Sequence, residues 1–166
     1  MKSLFIIPLL LASTALLSNA DTIEVSQYTF DLGEKWTSQQ PSSPMRSAEL
    51  LFDAEGDDDP SAAFFVFGGT LEQNIARWKG QFAAPPEEER EKLEGGGVIV
   101  ILSGVYLDGP PMAPATSKKP KENYRMLGAI LPTDDGRLVF VKMTAPAAVA
   151  DEAREPFAEM IKSGLK

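Results

Sequence analysis

Two apolar runs separated by a tight turn constrain this chain most: MLGAILP over 126–132, TDDG over 133–136 and RLVFVKMTAP over 137–146. Asp-Gly between β-rich runs is the strongest short-range hairpin signal, so residues 124–131 and 138–144 are expected as antiparallel neighbours. Behind them Val149, Ala153, Phe157, Met160 and Ile161 recur at helical spacing, giving a closing helix one apolar face. Pro146 suits its first turn. Pro156 removes a backbone donor and crowds the preceding turn, which predicts a kink or break between Arg154 and Phe157.

Upstream, Ile23 and Val25 fall at odd positions and Tyr28, Phe30 and Leu32 at even ones, so a first strand over 22–32 needs a bulge or turn near Ser26 and Gln27. Residues 33–36 read as a turn delivering Trp36 to the core, 39–44 as a loop, and 46–52 as a second strand. An acidic turn over 53–60 leads to the apolar run 61–67, which fits a central strand covered on both faces. Thr70 and Gln73 form a capping-box pattern, and Leu71, Ile75, Trp78 and Phe82 line one face of the helix that follows. Pro85 and Pro86 stop it. Residues 87–94 read as a short charged helix, Gly95, Gly96 and Gly97 as a flexible link, and 98–106 as a further central strand. Residues 108–123 read as a long irregular segment, beyond the usual connection length.

Six clustered strands with hairpin turns and intervening helices predict an α+β fold, a mainly antiparallel sheet with helices packed on its faces. Residues 1–20 differ from the rest: Lys2 is their only charge, the apolar stretch 4–17 is too short to span a bilayer, and Ser18 and Ala20 sit where a signal peptidase reads. A signal peptide over 1–20 and a single domain over 21–166 are expected. The exported product would be periplasmic or secreted, with no membrane insertion after cleavage.

Histidine and cysteine are both absent, which excludes Ser-His-Asp and Cys-His nucleophiles, thiolate-ligated metals and imidazole relays. A zero-cysteine exported chain fits a bacterial envelope better than a disulfide-rich extracellular space. The formal net charge of −8 becomes one unit more negative without Lys2, opposing nucleic-acid binding. Hydrolysis by a carboxylate pair or a Ser-Lys dyad stays open, although no spacing in the sequence points to either.

Asp53, Glu55, Asp57, Asp58 and Asp59 form the candidate metal site, because Ca²⁺ takes several oxygens from one flexible loop. The spacing is not that of an EF-hand, since Asp58 stands where glycine is required and Phe64 where a bidentate Glu is. The competing reading is a solvated turn whose charges blunt a sheet edge. Gly68, Gly69 and Thr70 before a helix lack both the dinucleotide pattern and the P-loop lysine. Lys118, Lys119 and Lys121 make a basic island in an acidic chain, and together with Arg77 and Lys79 on the 71–82 helix they are the candidate partner-binding residues.

Several stretches resemble small exported proteins of unknown function from planctomycete-type bacteria, with a PsbP/Mog1-like α/β/α sandwich. These are the strand and turn over 30–36, Pro44-Met45-Arg46, NIARWKGQ over 74–81, Met126-Leu127-Gly128-Ala129-Ile130, and residues 140–146 entering the last helix. The resemblance implies action by binding: PsbP-type proteins associate with photosystem II, and Mog1-type proteins bind a small GTPase. It carries over no functional residue. The expectation is an exported, non-enzymatic binding or accessory protein of the bacterial envelope, its partner an envelope protein or surface polymer. The alternatives are a carboxylate-dependent hydrolase or lyase, and a Ca²⁺-dependent binding module.

Overall fold

The computed structural model describes residues 22–56, 59–110 and 112–166; the expected leader over 1–20 lies outside them. The chain opens with β1 (Thr22–Val25) and β2 (Tyr28–Asp31), paired antiparallel. Ser26 between them has φ +58°, so the change of alternation at this point is a turn and not a bulge. The two strands form a separate hairpin outside the main sheet.

The main sheet has seven strands in the order β3-β4-β5-β9-β8-β7-β6, all antiparallel. They are β3 (Trp36–Gln39), β4 (Ala48–Phe52), β5 (Ser61–Phe67), β6 (Glu87–Lys92), β7 (Val98–Asp108), β8 (Lys119–Pro132) and β9 (Leu138–Pro146). Helix α1 (Leu71–Lys79) joins β5 to β6, and α2 (Ala147–Ser163) closes the chain. The expected α+β fold is present: the strand expected over 22–32 is the separate β1–β2 hairpin, and the main sheet joins the other five expected strands to β3 and β6, which periodicity does not mark.

Alternation along each strand divides the apolar residues between two cores. On one face Phe30, Trp36, Phe52, Phe64, Leu127, Val141 and Phe157 are buried together beneath α2 and the β1–β2 hairpin. On the other, Ile75 and Trp78 of α1 meet Val100, Leu102, Met126, Ile130 and Phe140. The α1 capping box forms as expected: Gln73 N donates to Thr70 Oγ1 and Thr70 N to Gln73 Oε1, each at 3.2 Å. Phe82 lies past the end of this helix and bridges to Tyr106.

Residues 87–92 form an edge strand where the charged run reads as a helix. Its side chains alternate between the two helices: Glu88 and Arg90 reach Lys79 and Glu72 of α1, while Glu89 and Glu91 reach Arg154 and Lys162 of α2. Period-two ion pairing on both faces overrides a local sequence with good helix propensity, and the charges guard the sheet edge. The irregular segment is also shorter than expected. Strands β7 and β8 continue as hairpin arms to the Asp108–Lys119 pair, leaving only residues 109–118 between them.

Helix α2 runs through Pro156 as one continuous helix, so of the expected kink or break the break does not occur. Ala150 and Ala153 before the proline and Phe157, Met160 and Ile161 after it are all buried, and this packing outweighs a local penalty of about 3 kcal/mol. The Pro156 carbonyl accepts a hydrogen bond from Trp36 Nε1 at 3.3 Å.

Candidate functional site

Helix α1 is nine residues long and covers only part of its face of the sheet. It lies over β7, β8 and β9 at Trp78, which packs edge-on to Phe140 with ring centroids 6.1 Å apart. Toward β5 the face is open, and Phe65 and Phe67 stack there at 6.0 Å. Phe67 is 39% exposed. A groove of about 230 Å³ runs between the helix and these strands, lined by Phe65, Phe67, Phe140 and Lys142 from the sheet and by Asn74, Arg77, Trp78 and Gln81 from the helix and its exit.

Lys142 is the unusual member. Strand β9 is central, and its residues 138, 140, 142 and 144 share the α1 face. Lys142 occupies the row in which Ala63 and Gly128 are its neighbours on β5 and β8. Ala63 is small on one side, and on the other the space over Gly128 is taken by the Trp78 indole. The amine donates to Gln81 Oε1 and to Tyr106 Oη, the latter at 3.5 Å, and lies 5.5 Å from the Tyr106 ring centre. No carboxylate pairs with it among the described residues. Burial, reinforced by the positive charges of Lys118 and Arg46, pulls its pKa down to about 8. Tyr106 is itself fixed, stacked on Tyr124 at 6.3 Å and edge-on to Phe82 at 5.7 Å. Burial, aided by the Asp108 charge, raises its pKa.

Glu49, 3% exposed, is the buried carboxylate on the same face, on β4 with Ala63 between it and Lys142 in the row. It accepts from Ser42 N at 2.7 Å and pairs with Arg46 Nη1 at 2.5 Å. Burial alone would raise its pKa; the Ser42 amide and the Arg46 guanidinium outweigh that and hold it at about 2. Such a carboxylate is a poor proton acceptor, and among the described residues no acidic side chain lines the groove.

A larger hollow, about 630 Å³, lies between the turn after β2 and α2, but Asp31, Glu34, Lys35, Glu159, Lys162 and Lys166 line it with both signs of charge. The Lys142 groove combines an apolar wall, a few convergent polar groups and a perturbed amine, which is how small-ligand sites are built.

The residues singled out from sequence fall in different places. Arg77 lines the groove, and Lys118 is close enough to Lys142 for its charge to act on the amine. Lys79 is paired with Glu88. Lys119 is exposed at the start of β8, and Lys121 lies beside Asp59, Tyr124 and Thr144 in a separate hollow. In the acidic turn the Asp53 carbonyl accepts from Lys35 Nζ at 3.0 Å, the Glu55 amide donates to Glu152 at 3.0 Å, and Asp59 Oδ1 accepts from Ala54 N at 3.4 Å. Asp57 and Asp58 lie outside the described residues, among which no three acidic groups are placed to hold a metal.

Lys142 was not among the residues singled out from sequence. Its signal is present nonetheless: a single cation in the middle of LVFVKM, on the inner strand of the best-defined hairpin, where near-continuous apolar residues are the rule.

No protein-family model matches the chain, and no curated protein matches it. Among solved structures, the solution structure of cyanobacterial PsbP (CyanoP) from Synechocystis sp. PCC 6803 is similar, with a TM-score of 0.52 over 92% of this chain and 96% of that one, at 14% sequence identity. The likeness shows a PsbP-like fold.

Proposed function

We propose that this chain is an exported, non-enzymatic binding or accessory protein of the bacterial envelope, and that its binding surface is the groove at Lys142. The observation that carries this is a central-strand lysine without a carboxylate partner among the described residues, held by Gln81 and Tyr106 at the foot of an aromatic wall. A half-buried ammonium with no carboxylate partner among the described residues is poorly compensated in the folded state. Violations of core chemistry of this kind concentrate at functional sites, and an anionic group from a ligand or partner would supply the missing charge. A PsbP-like fold is compatible with this role without specifying the partner.

The test places a photo-crosslinking phenylalanine analogue at position 67, on the groove rim, or at 159, on the helix of the opposite face, in intact cells. The expected result is a protein, polymer or small-molecule adduct recovered from position 67, absent from 159 and lost when Lys142→Met is added. Capture from 67 that is indifferent to Lys142, or equal capture from 159, would overturn the assignment.

A further inference from the structure

We infer that the groove is a site for a small organic acid: a compact apolar body carrying one carboxylate, with the carboxylate between Lys142 and Arg77 and the body against Phe65, Phe67 and Phe140. This rests on the groove being the binding surface, and adds the chemical class of its occupant.

Three observations lead to that class. The first is charge. Among the described residues Lys142 and Arg77 are the ionisable groups in the lining, and both are cations. An ammonium has three protons to donate; Gln81 and Tyr106 take two from Lys142, which leaves the third for a ligand. Arg77 makes no ion pair among the described residues, so its planar fork is available for a carboxylate. The second is the wall. Half of its residues are rings, from β5, β9 and α1, which suits an apolar body and disfavours a strongly hydrated dianion such as phosphate, whose usual partners are clustered backbone amides. The third is size. A hollow of about 230 Å³ falls below the roughly 300–1,000 Å³ of sites for drug-sized molecules, so it suits a compact molecule.

Calorimetric titration of the purified chain at neutral pH tests this with four probes: 3-phenylpropionate, its neutral counterpart 3-phenylpropan-1-ol, inorganic phosphate, and a short peptide ending in phenylalanine with a free carboxylate. The acid is expected to bind at least tenfold more tightly than the alcohol or phosphate. Lys142→Met should weaken it at least tenfold and Arg77→Gln several-fold, with thermal melts establishing that both variants are folded. Equal binding of acid and alcohol, no binding of the acid, or indifference to Lys142→Met would overturn the assignment. So would a peptide that binds tenfold more tightly than the free acid, which would make the occupant the end of a partner chain. Failure of the acid together with Lys142-dependent crosslinking from position 67 would remove the ligand class while leaving the groove as the binding surface.

Discussion

Trp78 lies so close to Gly128 that a Cβ on residue 128 would sit 2.4 Å from Cζ3 of the indole and 2.9 Å from Cη2. Gly128 shares its row with Lys142, so the glycine that lets α1 approach the sheet also shapes the floor of the groove. Gly128→Ala should therefore push the indole outward. Overpacking of a filled core costs about 1–3 kcal/mol, or roughly 3–9 °C in melting temperature for a chain of this length. Thermal denaturation followed by circular dichroism reads it; an unchanged melting temperature would show that the contact relaxes freely.

Lys142→Met should stabilise the protein at neutral pH, by about 1–2 kcal/mol, because a charge of unfavourable location becomes an apolar chain of similar length. The sign with pH follows from a folded pKa near 8 against an ordinary lysine value of 10.5. Below 8 both folded and unfolded chains carry the proton and the burden is complete. Between 8 and 10.5 the folded state releases it while the unfolded state keeps it, so wild-type stability rises relative to the variant. Denaturant melts of both proteins at pH 7 and pH 10 should show the gap narrowing with pH.

Glu49→Gln should act in the opposite sense. It leaves Arg46, whose side chain is 29% exposed, without its carboxylate partner, and at pH 7 the expected loss is about 1–3 kcal/mol. The folded carboxyl titrates at about 2 against an ordinary 4.5, so its contribution is fully present above the unfolded value and disappears as the pH falls through the folded one. Urea midpoints measured from pH 6 down to pH 2.5 should therefore converge for wild type and variant.

Pro156→Ala should raise stability by about 1–2 kcal/mol. Restoring the backbone donor inside α2 relieves a penalty of about 3 kcal/mol, partly offset by the greater freedom alanine gives the unfolded chain. A lower melting temperature would mean that the proline ring packs better than the regular helix it displaces.

How much of this could be read in the sequence depended on whether local pattern and tertiary partners agreed. Strands β5, β7, β8 and β9, the Thr70 capping box and the buried Trp36 follow from periodicity and turn chemistry, because each is apolar where it must be buried. Glu87–Lys92 does not: its run of Glu, Arg and Lys favours a helix locally, and pairing with β7 together with ion pairs to Lys79 and Glu72 of α1 and to Arg154 and Lys162 of α2 makes it a strand. Pro156 misleads in the same way, since its local penalty is visible in sequence and the packing on either side is not. Arg77 and Lys118 stood out as exposed cations. Lys142 carries a sequence signal as the lone cation in LVFVKM, but the face it occupies follows only from the pairing with Ala63 and Gly128.

The titration of Lys142 itself tests the groove most directly. Its side-chain ε-methylene resonance, assigned by its disappearance in Lys142→Met, can be followed by carbon-detected NMR from pH 6 to pH 11, with and without 3-phenylpropionate. The expected midpoint is about 8 for the free protein, moving upward when the acid binds, since a nearby carboxylate favours the charged amine. A midpoint at the ordinary lysine value, unmoved by the acid, would contradict a desolvated amine held without a counter-charge and the binding role drawn from it.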